Sequence, residues 1–594
     1  AIFMLTSSPQ KQRSRLSVLA HHFAPDQRIK TLVQPHCASA MLALASILSL
    51  EAAASAELSV LDMAVQLIPR TSFLCDFLKI STINGSEAKP SLANNVALWK
   101  WHGIRDGCVG LLESRLRWGG PLAVQQLCAS GIPLLLVELL GSNNSTTSNV
   151  VYATKNEVGL SPVGVSWTIS SICHCLLGGA LFFRQILVRS DHIKLFSGLI
   201  GDIHLKLVKS WSGPGGGKNG VRDLINATID LLAFPFVAVQ NSPGMPAATA
   251  SVNSGFLLNM GSPGGKMCIE DKEMVKAIEE DMGRYLKLLL DVGVASTILC
   301  CLDHLDFKDL GKPVAFLAKM VGHRPLAVQL VGKGLLDTNR FRRLFDNSCP
   351  KEVILDALMI ISDLARMDKE FYQYIDKASI LEFLKSFLTH EDPNIRAKAC
   401  SAVGNMCRHS SYFYSSLAKH RIISLLIDRC ADPDKRTRKF ACFAIGNAAY
   451  HNEMLYEELR RSIAQLVYLL LTPEEDKTKA NAAGALSNLV RNSNKLCEDV
   501  VSKGAIQALL KLVSDCSAMA LNPPRRDAAN ESPLKIALFS LAKMCAHPPC
   551  KKFLRSSELF PVISRLRQSP ESAIANYAAV IISKVADASS PNVK

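Results

Sequence analysis

Residues 395–406 of this 594-residue chain read IRAKACSAVGNM, and two later segments repeat the same pattern. These segments are TRKFACFAIGNA at 437–448 and TKANAAGALSNL at 478–489. The asparagines that the three segments share follow one another at intervals of 42 and 41 residues, and they are Asn405, Asn447 and Asn488. Repetition at a fixed interval of this length is typical of chains that stack one supersecondary unit on the next.

The same frame extends in both directions with weaker matches. The steps between equivalent positions are 41 to 44 residues, except for the 55 residues that separate Asn488 from the next position. That long step contains Asn-Pro-Pro-Arg-Arg from residue 522, which predicts an inserted loop near residues 516–533. The outlying equivalents of the three asparagines are Lys319, Asp363, Lys543 and Lys584.

Within each segment the apolar residues are spaced as on one face of a helix. Ile395, Ala399 and Met406 lie at i, i+4 and i+11 of the first segment, which is one stripe of an α-helix. Gly404 and Gly446 carry no side chain beyond Cα, so they predict that a neighbouring helix approaches closely at these positions.

An all-helical period of this length with a glycine turn resembles the armadillo repeat and the related HEAT repeat. The turn is clearest at Gly504, where GAIQALLKLV begins an amphipathic stretch. One repeat cannot bury its apolar face alone, so stacking must supply the core. We therefore predict an all-α fold, an armadillo/HEAT-like helical-repeat solenoid.

Composition predicts two arrays joined by a flexible linker. Residues 1–40 are a basic linker or the end of a fragment, and 41–235 form a divergent helical-repeat region. Residues 236–270, rich in Gly, Pro and Ser, are the linker. Residues 271–594 form the armadillo-type array that carries the inserted loop.

The net charge selects no function, whereas the cysteines indicate the cellular compartment. The formal net charge of +15 allows nucleic acid, acidic peptides or a microtubule surface as partners and selects none of them. The 18 cysteines are scattered, and many lie inside apolar helical patterns, as Cys400, Cys407 and Cys442 do. We expect small buried thiols in a reducing compartment and no disulfide framework.

One apolar stretch has the length of a membrane span. Residues 158–183 contain no Asp, Glu, Lys or Arg. They do contain several Ser and Thr residues, Pro162 and His174, which are costly in lipid and ordinary in a buried helix. We expect a core helix and no membrane partner.

No motif predicts catalysis, a metal or a cofactor. The glycine-rich loops at 213–220 and 261–266 lack the Gly and Ser/Thr that flank the lysine of a phosphate-binding loop. The kinase sequences His-Arg-Asp and Asp-Phe-Gly are absent from the chain. On a helix, the neighbours Cys173, His174 and Cys175 point about 100° apart and cannot hold one ion together. We expect a chain that is not itself an enzyme.

The remaining candidate is a binding surface. In armadillo folds the third helix of each repeat lines a groove, where its asparagine can pair with the backbone of an extended peptide. The alternative is that these asparagines tie adjacent loops together. A basic cluster next to the second asparagine could attract acidic partners or be a solvated helix face. The candidate partner-binding residues are Asn405, Asn447, Asn488, Lys435, Arg436, Arg438 and Lys439.

The pattern departs from that of the nuclear-import adaptors. Their groove carries a Trp-x-x-x-Asn ladder, whereas Ser401, Phe443 and Gly484 occupy the positions four residues before the asparagines. A basic array would also repel basic import signals. A nuclear-import-type adaptor is therefore a weak alternative.

Three segments together resemble the Fused family of serine/threonine kinases. They are LWKWHGIRDGC at 98–108, WTISSICHCL at 167–176 and ACSAVGNMCRHSSYFY at 399–414. Members of this family carry a long armadillo/HEAT-like C-terminal region. The resemblance implies that the chain is the non-catalytic arm of a larger kinase, and its start on Ala1 rather than Met agrees with a fragment.

The resemblance also implies a cellular role. Plant members of the family are associated with cytokinesis at the phragmoplast, through a kinesin-12-type motor. It thus implies a protein-docking scaffold that is cytoplasmic, associated with the cytoskeleton and able to bind such a motor. The residues alone leave open a polyanion-binding repeat protein, with RNA or the microtubule surface as ligand, and nucleic acid is the less favoured partner.

Overall fold

The computed structural model describes residues 106–141, 160–240, 272–521 and 533–586, apart from 108, 114–115, 118–119, 130, 212 and 214. These residues form α-helices, short 3-10 helices and their connections, and they contain no β-strand. The predicted all-α fold is confirmed. The chain divides into two compact units, of which the first comprises Ala1–Leu335 with Ser348–Pro350 and the second Leu336–Asn347 with Lys351–Lys594.

The described part of unit 1 is a stack of helices around two long ones. Its helices are α1 (Gly120–Ala129), α2 (Ile132–Gly141), α3 (Pro162–Cys175), α4 (Ala180–Leu187), α5 (Ser190–Leu199), α6 (Asp202–Ser210), α7 (Gly217–Gln240), α8 (Lys272–Val292), α9 (Val294–His304), α10 (Gly311–Val321) and α11 (Arg324–Gly332). Helix α7 packs against α3, α8 and α10, and α8 also packs against α4 and α5.

A buried tyrosine joins the two long helices. Pro235 lies inside α7, where it cannot donate a backbone hydrogen bond and disturbs the preceding turn. The hydroxyl of Tyr285 on α8 donates to the carbonyl oxygen of Leu232 in that turn over 2.6 Å. Lys312 on α10 also pairs with Asp230 on α7. The carbonyl of Leu232 and one carboxylate oxygen of Asp230 thus find partners on neighbouring helices, as most buried polar groups do.

Unit 2 contains a regular array. Its helices are α12 (Thr338–Arg343), α13 (Lys351–Met367), α14 (Tyr372–Lys377), α15 (Leu381–Phe387), α16 (Pro393–Met406), α17 (Tyr414–Lys419), α18 (Ile422–Arg429), α19 (Lys435–Ala448), α20 (Tyr456–Leu459), α21 (Ser462–Leu471), α22 (Asp476–Asn488), α23 (Cys497–Ser502), α24 (Ala505–Leu521), α25 (Leu534–Met544), α26 (Pro548–Ser556), α27 (Phe560–Leu566) and α28 (Ser572–Ala586). From α14 onward they group into three-helix repeats, each with a short first helix.

Local sequence fixes where the third helices begin. Asp392 caps α16 by accepting a hydrogen bond from the N–H of Asn394 over 2.8 Å, and Pro393 occupies the first turn. Asp434 caps α19 in the same way, through the N–H of Thr437 at 2.9 Å. The third helices therefore start at equivalent positions and can pack in register.

The third helices stack on one another in chain order. Helices α13, α16, α19, α22, α25 and α28 each pack against the next. A Cβ atom on Gly404 would lie 2.6 Å from Cδ1 of Phe443, so α19 could not come this close to a larger residue. At Gly446 the corresponding distance to Ala485 Cα is 3.6 Å. The predicted close approach at the two glycines is confirmed.

Several predicted features fall wholly or partly outside the described residues. Residues 1–40 and most of the linker predicted at 236–270 lie there. Helices α7 and α8, on either side of that linker, pack together in unit 1. Helix α7 itself continues to Gln240. The domain limits drawn from composition stay a prediction.

The inserted loop begins later than its composition indicated. Helix α24 continues through residues 516–521, which were assigned to the loop. Its Cys, Ala, Met and Leu residues tolerate a helix, whereas the helix cannot continue far into Pro523 and Pro524. Within the stretch predicted as a core helix, residues 162–178 and 180–183 are helical, and the two helical parts are separated at Gly179, whose φ of 125° is accessible mainly to glycine.

A single helix that crosses a membrane must be both long and apolar. No single helix in the described parts of the chain meets both requirements. Two bent pairs meet them only when their helices are taken together, at 121–141 and 272–304.

Candidate docking surface

The third helices present one side to solvent. We define the third-helix face as the side chains at the asparagine position and at four and seven residues before it, which share one side of a helix. On α16 to α28 these are Asn405, Ser401, Lys398, Asn447, Phe443, Phe440, Asn488, Gly484, Asn481, Lys543, Phe539, Ile536, Lys584, Val580 and Tyr577. All except Asn405 are partly or fully exposed.

The asparagines of this face join neighbouring repeats. Nδ2 of Asn447 donates to the carbonyl oxygen of Gly404 in the preceding repeat over 2.8 Å, and Asn488 makes the equivalent bond at 2.9 Å. Asn405 donates instead to Oγ of Ser362 at 2.9 Å. One amide hydrogen of each residue therefore holds the array together. The side chains of Asn447 and Asn488 remain half-exposed, so both still offer an oxygen to solvent.

Lys584, which the repeat spacing made equivalent to the three asparagines, forms an equivalent hydrogen bond. Nζ of Lys584 donates to the carbonyl oxygen of Ala542 over 2.9 Å, which is the bond that Asn447 and Asn488 make in their own repeats. Lys543, at the end of the long step, makes no such bond within the described residues. Its Nζ lies 5.4 Å from the centre of the Phe539 ring.

A row of tyrosines connects the first helix of a repeat with the end of its third helix. The hydroxyls of Tyr372, Tyr414 and Tyr456 donate to the carbonyl oxygens of the three asparagines over 2.8, 2.6 and 2.6 Å. Each hydroxyl also accepts a backbone N–H, from His409 in the first of these repeats at 3.1 Å. Sequence reasoning missed this row, although its 42-residue spacing equals the repeat period.

Burial makes these phenols reliable donors. It raises the pKa of Tyr372 to about 12, against the small opposing effect of the N–H of His409. Burial also raises the pKa of Tyr414 well above the ordinary value for tyrosine. Both hydroxyls therefore keep their protons, and their hydrogen bonds to the asparagine carbonyls, at physiological pH.

Two buried ion pairs link the starts of successive third helices. Arg396 pairs with Asp432 through bonds of 2.8 and 2.9 Å, and Arg438 pairs with Glu474 at 2.7 Å. Arg438 also donates to the carbonyl oxygens of Asp432 and Pro433. The guanidinium of Arg438, one of the candidate partner-binding residues, is thus already bonded within the array.

The other members of the basic cluster lie at the surface. Lys435 is exposed, Arg436 lies 3.5 Å from Asp434, and Lys439 lies 3.3 Å from Glu475. Exposed pairs of this kind contribute little to stability and can exchange partners. The structure brings the cluster to the first turn of α19, while Asn447 lies at its end. Partner binding by these residues stays a prediction.

The chemistry available on this face is that of recognition. Its members offer amides, ammonium groups and aromatic rings, which make hydrogen bonds, ion pairs and apolar contacts. Within the described ranges, no three side chains of the His, Cys, Asp or Glu type come together as metal ligands. Cys173, His174 and Cys175 are buried in α3, and burial lowers the pKa of His174 to about 4.

Comparison with known proteins agrees with the sequence pattern. A HEAT repeat model matches residues 380–410, which include α15 and α16. The chain is 66% identical over 586 residues to the serine/threonine-protein kinase TIO of Arabidopsis thaliana. The match covers 98% of this chain and 44% of the relative, so the chain spans less than half the length of that kinase.

Two solved structures are similar to the chain, and the first of them, with a TM-score above 0.5, supports the fold. An engineered protein is 15% identical with a TM-score of 0.51, and the match covers 86% of this chain and 98% of the other. A designed armadillo repeat protein in complex with the peptide (KR)4 is 20% identical over 42% of this chain and 99% of its own, with a TM-score of 0.37. The predicted resemblance to the plant TWO-IN-ONE type of Fused kinase is confirmed: over nearly its whole length the chain is similar to part of such a serine/threonine-protein kinase, and it folds as a helical-repeat scaffold.

Proposed function

We propose that the chain is the non-catalytic docking arm of a Fused-like serine/threonine kinase. The observation that carries this proposal is the third-helix face, a continuous row of half-exposed amide, aromatic and basic side chains on stacked helices. Similarity to part of a kinase supports an accessory role, because the His-Arg-Asp and Asp-Phe-Gly sequences of kinases are absent from this chain. Such an arm brings a protein partner close to a catalytic domain and raises its effective concentration.

The partner that we propose is a kinesin-12-type motor at the phragmoplast, and this follows from the family resemblance. The arm would hold kinase and motor together during the expansion of the phragmoplast in plant cytokinesis. Association with microtubules would then be indirect, through the motor. The chain would act in the cytoplasm, on the cytoskeleton.

The asparagines support a binding face that recognises a backbone. Asn447 and Asn488 use one N–H to hold the preceding repeat, and their oxygens stay accessible. An amide oxygen that is already held in place can accept a hydrogen bond from a peptide N–H regardless of the side chains of that peptide. Replacing these asparagines by alanine would loosen the repeats as well, so it is a poor test of binding.

A bulky substitution on the face is the better test. We expect Gly484→Trp to weaken the affinity of the purified chain for fragments of a kinesin-12-type motor by at least tenfold, which is about 1.4 kcal/mol. The matched control is Ser415→Trp, which places the same ring on the exposed side of α17. Isothermal titration calorimetry measures both. Equal affinities for the wild-type chain and Gly484→Trp, or no binding at all, would contradict the proposal.

A further inference from the structure

The charge of the third helices changes sign along unit 2. The relevant positions are those of the third-helix face and those eight and eleven residues before the asparagine position. On α13 the charged residues at these positions are Asp363, Asp356 and Glu352, which are all acidic. At the same positions of α19, α22, α25 and α28 every charged residue in the described part of the chain is basic. They are Arg436, Lys439, Lys477, Lys535, Lys543 and Lys584.

The negative charges of Asp356 and Asp363 on α13 are offset by positive charges within the array. Asp356 is only 4% exposed, and Asp363 pairs with Arg366 at 3.1 Å. The ammonium group of Lys398 on α16 is attracted by both carboxylates, although burial outweighs them and lowers its pKa. Asp356 and Asp363 therefore have little charge left for a ligand.

Three of these six basic residues form ion pairs within the array. Arg436, Lys439 and Lys535 have Asp434, Glu475 and Glu571 as partners, at 3.5, 3.3 and 3.0 Å. Lys477 and Lys543 are exposed and form no ion pair within the described residues. Two lysines are thus left to face a ligand, on either side of the long step.

An apolar notch lies between these lysines. Phe443, Gly484 and Phe539 occupy the same position on the successive helices α19, α22 and α25. Packed helices lie about 8–10 Å apart, so the missing side chain at Gly484 leaves a gap one helix wide between two rings. Ile536 borders it, because a Cβ on Gly484 would lie 3.7 Å from Cγ2 of Ile536, and Ile536 is 39% exposed.

From these observations we propose that the third-helix face from α19 to α28 binds an extended acidic segment of a partner protein that inserts an aromatic side chain beside Gly484. The inference rests on the proposed docking function and adds the chemistry of the ligand. Acidic side chains would pair with Lys543 on the face and with Lys477, which lies one turn before the face on α22. The notch would receive the ring, and Asn447 and Asn488 would bond the backbone. Four helices at about 10 Å spacing span about 30 Å, which is roughly ten extended residues.

The probes are three fluorescein-labelled synthetic peptides of about that length. The first alternates Asp, Glu and Ser around one central Phe, the second has Ala in place of Phe, and the third has Lys in place of every acidic residue. Fluorescence anisotropy with the whole chain gives each affinity. We expect the acidic Phe peptide to bind best, with an affinity that falls steeply as salt rises. The lysine peptide should not bind measurably.

Two variants of the chain separate the two parts of the inference. Lys477→Glu with Lys543→Glu should weaken binding of the acidic Phe peptide by roughly tenfold or more. The same charge change at Lys419 and Lys503, which are exposed elsewhere on the repeats, should leave it within about twofold. Gly484→Leu should abolish the preference for Phe over Ala and leave the salt dependence intact.

The outcomes separate this inference from the docking function. Equal binding of the acidic and lysine peptides, or equal losses in the two pairs of lysine variants, would overturn the inference. If the motor fragments still lose affinity in Gly484→Trp, the docking function survives such a result and the partner chemistry is different. If the motor fragments do not bind but the acidic Phe peptide does, the face recognises this chemistry in another protein.

Discussion

Two neighbouring steps of the array join helices of the same kind in different ways. Between Asn447 and Asn488 the repeats share an amide hydrogen bond and a buried arginine–glutamate pair, and a tyrosine bond holds the first and third helices of the second repeat together. Between Asn488 and Lys543, Cys497 takes the tyrosine position and Lys543 faces solvent. There Oγ of Ser540 donates to the carbonyl of Ala483 at 2.9 Å. In the regular step the polar side chains bond to neighbouring helices, whereas in the long step some of them remain available to a ligand.

The largest effect that the comparison predicts is at Asp432, in the regular region. Its carboxylate is buried and accepts bonds from Arg396, Arg429 and the N–H of Asp434. We expect Asp432→Ala to lower the free energy of unfolding by about 3–5 kcal/mol, because it leaves two guanidinium groups without their anion. Urea unfolding followed by circular dichroism measures this.

The matched control lies in the long step. Asp515 and Lys511 form an ion pair at 3.5 Å with both side chains more than half exposed. Asp515→Ala should change the free energy of unfolding by about 0–1 kcal/mol. Similar losses in Asp515→Ala and Asp432→Ala would remove the distinction between the two regions.

The same carboxylate predicts a pH dependence. Burial alone raises the pKa of Asp432, but hydrogen bonds from Arg396 and Asp434 and the charges of Arg396 and Arg429 outweigh it and hold the pKa below its usual range. Stability from this group is therefore complete above the unfolded-state pKa of about 3.9 and is lost as the pH falls below it. We expect the wild-type chain to lose its advantage over Asp432→Asn as the pH decreases from about 5 to 2. A constant difference across that interval would contradict the assignment.

A smaller effect is expected at the tyrosine row. Tyr414→Phe removes a hydroxyl that donates to the carbonyl of Asn447 at 2.6 Å and accepts the N–H of His451 at 3.3 Å. The N–H of His451 would lose its partner and the carbonyl of Asn447 would keep only the N–H of Tyr450, at a cost of about 1–3 kcal/mol in the free energy of unfolding. Tyr412→Phe removes an exposed hydroxyl two residues earlier and should cost less than about 0.5 kcal/mol. Equal midpoints of urea unfolding for the two variants would show that the row is not structural.

The smallest effects have opposite signs in the two regions. Gly404→Ala places a Cβ atom 2.6 Å from Phe443, and we expect a loss of about 1–2 kcal/mol in the free energy of unfolding from overpacking. Gly484→Ala meets only Ile536 at 3.7 Å and should gain about 0.5–1 kcal/mol, since alanine favours a helix. Thermal unfolding of both variants checks the signs. Destabilisation by Gly484→Ala would mean that no open notch exists there.

The sequence alone predicted the repetitive part of this architecture well. The period, the helical spacing and the small residues at Gly404 and Gly446 depend only on neighbours along one helix, so they are visible in the primary structure. Even the equivalence of Lys584 with the asparagines has a counterpart in the bond to Ala542. A position that contacts the preceding repeat can therefore keep the same hydrogen bond when its residue type changes.

Polar partners across helices could not be predicted in the same way. Arg438 stood in an apparent basic surface cluster, and its partner Glu474 lies 36 residues further along the chain. The tyrosine row could not be predicted either, because a 42-residue spacing does not show that a hydroxyl will meet a carbonyl. Such contacts depend on how the first helix is placed against the third, which is a tertiary property.

The central claim is that a partner binds the third-helix face beside the long step. Lysine acetylation footprinting of the chain, with and without kinesin-12-type motor fragments and read by mass spectrometry, tests it most directly. We predict that Lys477 and Lys543 lose reactivity on binding, whereas Lys419 and Lys503 keep theirs. Protection of Lys419 and Lys503 with unchanged reactivity at Lys477 and Lys543 would place the partner on another surface and contradict the account.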